Sequence, residues 1–427
     1  MRALYSLAWL MVLPIAFLYL LWRSRRQPEY RRHWTERLGW APDLARNRVL
    51  WVHAVSVGET RAAAPVIAAL QERYPDHVLL LTHATPTGRA TGRELFGDGV
   101  RQAYLPYDFP LLVLLFLRRT RPRLGLIMET EVWPNLFSAC RQRGIPLLLA
   151  NARLSERSAQ GYQRFAGLTR MALGNLAVIA AQSAADAERL KGLGAANVEV
   201  TGNVKFDVNP PGDTQVRAAG LRKLYSGRFV FLCASTREGE EALLLDALGG
   251  LGLPGLLVVI VPRHPQRFDE VAVLLRDRGL SFVRRSGGGA VTSETRVFLG
   301  DSMGEMDAYY AAADLCYVGG SLLPLGGQSM IEPAAAGCPA LIGPHTWNFQ
   351  EAAEQAVAWG AARRVADGTE LRKAMLELHE DAQARQRMAE AGKAFAQANR
   401  GATARILALV EKALRQAQGE RIYSALP

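Results

Sequence analysis

The sequence contains little cysteine and lacks the short motifs that mark several large enzyme classes. Only four of its 427 residues are cysteine, and they are scattered through apolar stretches without a C-x-x-C pair. This distribution is typical of reduced, buried thiols. The four are Cys140, Cys233, Cys316 and Cys338. The chain has no G-x-x-x-x-G-K-[ST] loop, no G-x-S-x-G elbow and no H-E-x-x-H pair. These absences argue against a P-loop kinase, the usual serine hydrolases and a zinc protease.

Acidic residues are also in deficit, and no D-x-D pair occurs. A D-x-D pair normally holds the divalent ion in metal-dependent sugar transfer on a single Rossmann domain, so the sequence predicts chemistry without a metal or a bound cofactor. The 51 lysines and arginines outnumber the 40 aspartates and glutamates, which gives a net charge of +11. An anionic partner or surface fits that excess. Zinc-finger spacing, helix-turn-helix signatures and aromatic-basic runs are absent, so we expect no nucleic-acid partner.

A single long apolar run lies at the N-terminus. The stretch Leu4 to Trp22 contains no charged residue and is just long enough to span a bilayer core. A signal peptide is the alternative, but no small-x-small cleavage site follows. Arginines follow instead, and positive flanks stay on the cytoplasmic side. They are Arg23, Arg25, Arg26, Arg31, Arg32 and Arg37. We therefore expect residues 1–24 to be a retained anchor, with the rest of the chain cytoplasmic and close to anionic lipids.

A shorter apolar run, LLVLLFL at 111–117, is followed at once by four arginines within 118–123. Seven residues are too few to span a membrane. The run is either a core helix or a basic interfacial patch that dips into the bilayer.

Apolar strand-like runs alternate with amphipathic segments along the rest of the chain, which is the pattern of βαβ units. The predicted strands are 49–55, 78–82, 124–128, 146–150, 177–181 and 198–201, then 229–234, 256–261, 281–283, 297–299, 315–318 and 339–342. Turn residues separate the two groups at Asn209-Pro-Pro-Gly-Asp213. We predict Rossmann-like domains at 25–208 and 218–400, a linker at 209–217, and a C-terminal helix and tail at 401–427.

This arrangement is an α/β fold of the GT-B type, in which two Rossmann-like domains face a cleft. The anchor helix precedes it and a helical C-terminus ends it. Epimerases and phosphorylases share the arrangement, so the fold alone does not fix the function.

The first candidate site follows the first predicted strand, in WVHAVSVGETR from Trp51 to Arg61. Glu59 stands where this strand turns into a helix, at the edge where open α/β sheets bind ligands. It is a candidate general base. Ser56 and Glu59 also match the S-x-x-E capping box, which satisfies free amides at a helix start. Both interpretations remain open on these residues.

Three further strand ends carry charged side chains. Glu131, in METEVWPN, follows the strand 124–128 and could bind an acceptor sugar or raise the pKa of a neighbouring carboxylate. Its alternative is a solvated loop before Pro134. Arg153 would suit a phosphate or carboxylate substituent, and Lys205 an anionic donor. For each of these two cations, a role as plain surface charge is equally open.

The second half contains a glycine-rich loop running from Gly319 to Gly327 and into a predicted helix. Backbone amides at a helix start bind phosphate, and Glu332 is placed to accept hydrogen bonds from ribose hydroxyls. Three further segments could complete the pocket: Ser235-Thr-Arg237-Glu238, Val261-Pro-Arg263-His264-Pro and Asp301-Ser-Met303-Gly304-Glu305-Met306. Ser235/Glu238, Ser302/Glu305 and Ser329/Glu332 repeat the spacing of Ser56/Glu59, so plain helix capping is the competing interpretation for all four pairs.

Taken together, a set of motifs in a fixed order resembles the 3-deoxy-D-manno-octulosonic acid (Kdo) transferase family. The motifs are WVHAVSVGE, METEVWPN, ANARLS, GNVKFD, ASTREGEE, VPRHPQRF, GDSMGEM and GPHTWNFQEAA. They extend from about Arg31 to about Ala353, and the apolar N-terminus fits the family as well. One motif departs from the family pattern: Gln328-Ser329 stands where the family commonly has His-Asn, although Glu332 is kept.

The resemblance implies an inverting, metal-independent transferase that moves Kdo from CMP-Kdo to a lipid A precursor at the cytoplasmic face of the inner membrane. It implies Glu59 as the general base and Glu131 as the second acidic residue. The implied donor contacts are Pro262, Arg263, Met303, Gly304, Glu305, Ser329, Met330, Ile331 and Glu332, with Lys205 added on its charge. We expect Ser56, Gly58 and Arg153 to bind the acceptor.

Two other functions remain as alternatives. One is a different membrane-associated GT-B transferase that uses a UDP-sugar. The other is a membrane-tethered protein that binds a nucleotide or an anionic lipid without turnover, which leaves the paired acids unexplained.

Overall fold

A computed structural model of the chain describes residues 1–25, 27–249 and 253–424. Arg26 of the predicted basic flank and the last three residues of the predicted tail lie outside the described residues. Contacts divide the chain into two compact units. The first contains residues 1–208 and the C-terminal stretch from Arg400, and the second contains Asn209–Asn399.

The first unit is built on a seven-stranded parallel sheet in the order β3-β2-β1-β4-β5-β6-β7. Its strands are β1 Val49–His53, β2 Val78–His83, β3 Arg101–Tyr104, β4 Pro122–Met128, β5 Leu147–Ala152, β6 Val178–Ala181 and β7 Val198–Val200. The central strands are covered on both faces, which is why they appear in the sequence as continuous apolar runs. Residue pairs such as Trp51 with Gly125 align β1 with β4.

Helices pack on both faces of this sheet. The helices of the unit are α1 Arg2–Arg23, which packs on α6, then α2 Trp34–Arg37, α3 Val57–Arg73, α4 Pro86–Phe96, α5 Pro110–Thr120, α6 Pro134–Gln142, α7 Glu156–Gln163, α8 Ala166–Leu173 and α9 Ala184–Gly192. By length and composition α1 is apolar enough to cross a membrane, with a mean hydropathy of 2.1. In α5, Val113, Phe116 and Leu117 are buried, so the short apolar run is a core helix rather than an interfacial patch.

The second unit repeats this design with another seven-stranded parallel sheet, in the order β10-β11-β9-β8-β12-β13-β14. Its strands are β8 Phe229–Thr236, β9 Leu256–Pro262, β10 Phe282–Arg284, β11 Val297–Leu299, β12 Leu315–Val318, β13 Ala340–Ile342 and β14 Ala362–Arg364. Its helices are α10 Thr214–Leu224, α11 Glu240–Leu248, α12 Phe268–Asp277, α13 Met306–Ala311, α14 Ile331–Ala336, α15 Gln350–Ala358, α16 Gly368–Glu380 and α17 Ala382–Ala398.

The last helix, α18, runs from Ala402 to Ser424 and belongs to the first unit. Ile406 and Val410 are fully buried in the same apolar cluster as Val66 of α3. Asp207 accepts hydrogen bonds from the amides of Gly401 and Thr403, at 2.7 and 2.6 Å, and so caps the start of this helix. The C-terminus is therefore part of the N-terminal core.

The predicted α/β class with two Rossmann-like sheets is confirmed. Each predicted strand is present, with its ends displaced by no more than two residues. The strands β3 and β14 were not predicted. Helix α10 begins at Thr214, inside the stretch 209–217 that was expected to be a linker.

Candidate active site

The strand order of the first sheet reverses between β1 and β4, which lie side by side. In open α/β sheets, ligands bind outside the carboxyl ends of the strands at such a switch point. The segments that leave β1 and β4 here carry Glu59 and the pair Glu129 and Glu131. The two acidic motifs of the sequence thus meet at one place.

Glu59 lies in the first turn of α3, and its carboxylate folds back onto the start of the helix. Its Oε2 accepts a hydrogen bond from the amide of Val55 at 2.7 Å, and its Oε1 accepts one from the hydroxyl of Ser56 at 3.1 Å. Ser56 Oγ in turn accepts from the Glu59 amide at 3.4 Å. The capping box predicted from S-x-x-E is therefore formed.

The environment of Glu59 also favours a base that works near neutrality. Burial, together with the negative charges of Glu129 and Glu131, raises its pKa to about 7, although the hydrogen bond from Val55 opposes this. A carboxyl group with such a pKa exchanges a proton readily at neutral pH. Capping and proton transfer are thus compatible roles for one side chain.

Histidines near Glu59 are poor candidates for the base. His53 is fully buried, and desolvation together with the nearby His83 lowers its pKa to about 3. Desolvation also lowers the pKa of His83 to about 4. Both imidazoles are neutral at physiological pH, and their burial withholds them from a substrate hydroxyl.

Glu131 is half-buried in the same turn as Glu129. Desolvation raises its pKa, and the charge of Glu129 adds to this. Glu129 itself has a left-handed backbone with φ 56°, an uncommon conformation for a residue with a side chain. The turn after β4 therefore holds two carboxylates close to Glu59.

The predicted cations of this unit lie on neighbouring strand ends. Lys205 follows β7, and its Nζ lies 3.6 Å from Glu129 Oε1. The turn that carries Lys205 is tied to β5, because Asn151 Oδ1 accepts the amide of Val204 at 3.1 Å. Arg153 is exposed, and its carbonyl accepts the hydroxyl of Thr130. Lys205, expected to face the donor, thus contacts the acidic side of the first unit.

Ser56 and Gly58 flank Glu59 at the same edge. Ser56 is half-buried by its capping bonds and Gly58 is exposed. A side chain at Gly58 would meet only Ser56 Oγ, at 3.9 Å. The edge beside the carboxylate is therefore open to a ligand.

The second sheet reverses its order between β8 and β12, and the glycine-rich loop leaves β12 there. Glu240, fully buried, is the residue that holds this loop. Its carboxylate accepts hydrogen bonds from the amide of Gly320 at 2.6 Å and from the hydroxyl of Tyr317 at 2.5 Å. Gly319 packs so tightly on the carbonyl of Ser235 that any side chain there would collide with it. The hydrogen bonds from Glu240 and the close packing of Gly319 therefore fix the position of the loop.

The C-terminal part of the loop enters α14, a helix of six residues. Ser329 Oγ accepts the amide of Ile331 at 3.2 Å. The side chains of Met330 and Ile331 are buried, so only their backbone can face a ligand. Glu332, in contrast, is exposed at the start of the helix.

The other predicted donor residues lie at the ends of β9 and β11 in the same unit. Pro262 ends β9, and Arg263 is exposed just after it, with its amide bonded to the carbonyl of Thr236 at 2.9 Å. Met303 is 58% exposed, and Gly304 has φ 76°. Two hydrogen bonds from Arg285, at 2.9 and 3.2 Å, lower the pKa of Glu305.

Of the four S-x-x-E pairs, only Ser56/Glu59 caps a helix with the serine at the N-cap. Helix α11 begins at Glu240 after Gly239 in a left-handed conformation, and α13 begins at Met306. Ser329 reaches an amide two residues on rather than three. The capping interpretation is therefore wrong for these three pairs.

Two residues of these sites are absent from the predicted catalytic and binding residues. The E-T-E motif suggested that Glu129 lies with Glu131 at the edge toward Glu59, but its left-handed backbone could not be read from the motif. Glu240 lies in REGEE, beside the Glu238 that was singled out. Its task depends on the distant Gly320, which no local pattern reveals.

The residues that the structure describes contain no group of three or more histidine, cysteine, aspartate or glutamate side chains placed to hold a metal ion. The four cysteines are free and buried, as their apolar surroundings predicted.

Comparison with known proteins gives matches over most of the chain. The family profile described as 3-Deoxy-D-manno-octulosonic-acid transferase (kdotransferase) matches residues 32–208. The 3-deoxy-D-manno-octulosonic acid transferase of Bordetella pertussis is 44% identical over 425 residues, covering 96% of this chain and 99% of its own. The protein of the same name from Haemophilus influenzae is 35% identical over 418 residues, covering 96% and 98%. A solved glycosyltransferase from Rickettsia africae has a TM-score of 0.59 at 14% identity and covers 86% of this chain and 99% of its own, a likeness of fold.

Proposed function

The chain belongs to the Kdo transferase family, a family of glycosyltransferases, and from this premise we propose its donor, acceptor and mechanism. The donor is CMP-Kdo, and the acceptor is a lipid A precursor in the synthesis of the lipopolysaccharide inner core. Transfer occurs in one displacement that inverts the anomeric carbon and needs no metal.

The observation that carries the mechanism is the raised pKa of Glu59 at the switch point of the first sheet. Glu59 takes the proton of an acceptor hydroxyl while that oxygen attacks the anomeric carbon of Kdo. The bond from this carbon to the CMP phosphate breaks, and its electrons leave with the phosphate. Because the attack and the departure occur on opposite faces, the configuration inverts.

The neighbours of Glu59 serve the acceptor. Glu131 is proposed to hold a sugar hydroxyl, and with Glu129 it keeps Glu59 basic enough to work at neutral pH. Arg153, exposed at the next strand end, suits a phosphate of the acceptor. Ser56 and Gly58 leave the approach to Glu59 open.

The donor residues lie mainly in the second unit. Arg263 and the amides of the loop at 327–332 are proposed to offset the charge of the departing CMP, with Lys205 as a further cation. Glu332 and Glu305 are proposed to accept hydrogen bonds from the nucleoside. Since the leaving group is a stable anion, fixed positive groups are sufficient to assist its departure. The exposed apolar face of α1 supports membrane attachment, and we propose that the catalytic units lie on the cytoplasmic side of the inner membrane.

A product assay on the purified full-length protein tests this proposal. The protein is incubated with a lipid A precursor, excess EDTA and either CMP-Kdo, made enzymatically in a separate reaction just before use, or one of several UDP-sugars. The mass of the acceptor is then measured by mass spectrometry. We expect increments of one Kdo with CMP-Kdo despite the chelator, and no increment with UDP-sugars.

The same assay distinguishes the alternatives. Transfer from a UDP-sugar would identify a different transferase, and saturable CMP-Kdo binding without product from folded protein would contradict catalysis. Loss of product only when EDTA is present would contradict the metal-independent mechanism. A Kdo transferase of known activity serves as the positive control for donor and acceptor quality.

A further inference from the structure

Helix α1 is docked along its whole length on the first unit. Its partly or fully covered residues recur with helical spacing, whereas the residues between them are exposed. The covered residues are Arg2, Tyr5, Ser6, Trp9, Leu13, Ala16, Phe17 and Leu20. They form one stripe from the first turn to the last. A helix that projected away from the protein would be covered only near its attachment.

The polar residues of the first two turns all lie on this stripe and bind the protein. Ser6 Oγ donates to Asn135 Oδ1 at 3.0 Å, and Arg2 donates to Ser138 Oγ, both acceptors lying on α6. The Tyr5 hydroxyl lies close to the carboxylate of Asp108. The N-terminal end of α1 is therefore held on the first unit by its own set of polar contacts.

Asp108 joins these contacts into the fold. It is fully buried, and its carboxylate accepts the amides of Asn135 and Leu136, at 3.0 and 2.8 Å, at the start of α6. Removing α1 would expose this carboxylate and take away its Tyr5 partner. The helix thus completes a buried polar site of the catalytic unit.

The remaining turns of α1 pack through aromatic rings. The ring of Tyr107 lies 5.8 Å from that of Trp9 and 5.9 Å from that of Phe17. Phe17 also lies 6.1 Å from Trp34, and Leu20 is buried. The contacts between α1 and the first unit therefore continue from the N-terminal end of the helix to its C-terminal end.

The opposite face of α1 is wide, exposed and apolar. Leu4, Met11 and Leu18 lie seven residues apart along its centre and are 71%, 70% and 65% exposed. The other large side chains on this face are Leu7, Leu10, Val12, Ile15, Leu21 and Trp22. A hydrophobic surface of this extent needs an apolar partner.

Positive charge at both ends of α1 identifies that partner as a lipid leaflet. Arg2 precedes the apolar run, and Arg23 and Arg25 follow it. Positive flanks favour the cytoplasmic side. A spanning helix would put one of these charged ends across the bilayer, whereas a helix in the plane of the leaflet keeps both at the headgroups.

We infer that α1 lies in the plane of the membrane, enters only one leaflet and remains docked on the first unit, rather than crossing the bilayer. Spanning would pull Arg2, Tyr5 and Ser6 off α6 and Asp108. A helix that stays docked keeps these contacts and packs its apolar face against the lipid. Because α6 begins at Pro134, just after Glu131, the carboxyl edge of the first sheet is then held at the membrane surface. Only this last consequence rests on the proposed function.

Depth measurements on spin labels test the inference directly. Leu4→Cys, Met11→Cys and Leu18→Cys are labelled one at a time in the full chain, since the native cysteines are buried. The protein is reconstituted in vesicles of phosphatidylethanolamine and phosphatidylglycerol, and collision rates with oxygen and a nickel chelate give the depth. A label at Val216→Cys, 75% exposed on the second unit, is the aqueous control.

An in-plane helix predicts equal depths at the three positions, to within about one helical turn of 5 Å. A spanning helix places the outer two labels about 21 Å apart along the bilayer normal, with Met11 deepest by about 10 Å. That graded profile would overturn the inference. Water exposure at all three positions, or dipolar coupling between copies, would also overturn it, because the face would then have another partner.

A cross-link gives a second readout that does not depend on activity. Ser6→Cys with Asn135→Cys, treated with a short thiol cross-linker in vesicles, should join α1 to α6. Ser6→Cys with Lys412→Cys is the control pair, because α18, which carries Lys412, packs on the opposite face of the first sheet from α6. Absence of the first cross-link from folded, membrane-bound protein would mean that the helix has left the unit.

Discussion

Glu59 combines two tasks that the sequence presents as alternatives. Its carboxylate closes a capping box with Ser56 and the amide of Val55, which fixes its position at the strand end. Burial and two acidic neighbours hold its pKa at about 7. A residue with only a capping role is usually solvated and ionised. The raised pKa cannot be read from the motif. It is the physical reason for assigning Glu59 as a base as well as a capping residue.

The contribution of Glu129 can be isolated with Glu129→Gln. Removing this like charge should lower the pKa of Glu59, so the ionised base should persist to lower pH. We expect the acidic limb of the plot of log kcat/KM against pH to move to lower pH, by up to about one unit. Transfer rates measured from pH 5 to 9 give this limb.

Glu94→Gln is the matched control, because Glu94 is an exposed glutamate on α4 of the same unit. Its profile should coincide with that of the unaltered protein, including any titration of the acceptor phosphates. An acidic limb that does not move in Glu129→Gln would contradict electrostatic coupling between Glu129 and the base.

At the scale of elements, helix α18 shows how a sequence-distant segment supports the site. It begins at the cap supplied by Asp207 and buries Ile406 against α3. At its middle, Glu411 Oε1 forms an ion pair with Arg73 Nε of α3 at 2.8 Å. The helix α3 that it covers carries Glu59. The C-terminus thus stabilises the element that holds the proposed base.

Ile406→Ala should destabilise the first unit although it lies after the second in sequence. Removing a fully buried isoleucine costs about 2–5 kcal/mol in the free energy of unfolding. Amide hydrogen exchange should therefore accelerate in α3 and β4, with little change in β8 and β12.

Lys412→Ala, on the exposed side of the same helix, should change exchange little, because its pairing with Glu199 at 3.7 Å is at the surface. Equal acceleration in both units after Ile406→Ala would contradict the assignment of α18 to the first unit.

The strands differed in how well the sequence predicted them. Buried parallel strands such as β4 and β9 show as continuous apolar runs and were found. The missed strands β3 and β14 lie at sheet edges and contain Arg101 and Arg363. These arginines interrupt the apolar pattern of two short strands, whereas the other edge strands, β7 and β10, kept enough apolar residues to be found.

At the scale of the whole molecule, two sheets with central switch points account for the division of the sequence into an acidic site and a glycine-rich site. The motifs placed Glu59, Glu131 and the glycine-rich loop at carboxyl strand ends, as the sheets show. Contacts between residues that are distant in sequence could not be predicted. Lys205 with Glu129, Glu240 with Gly320 and Tyr5 with Asp108 each depend on packing that no local pattern encodes.

The most direct test of the account replaces Glu59 by glutamine and by alanine and measures single-turnover Kdo transfer. Glutamine can still close a capping box but cannot accept the acceptor's proton. If Glu59 is the base, both variants should lose transfer by at least about 100-fold, while CMP binding by calorimetry stays unchanged. Near-normal transfer by Glu59→Gln, with a loss only in Glu59→Ala, would show that the residue merely caps α3 and would contradict the proposed mechanism.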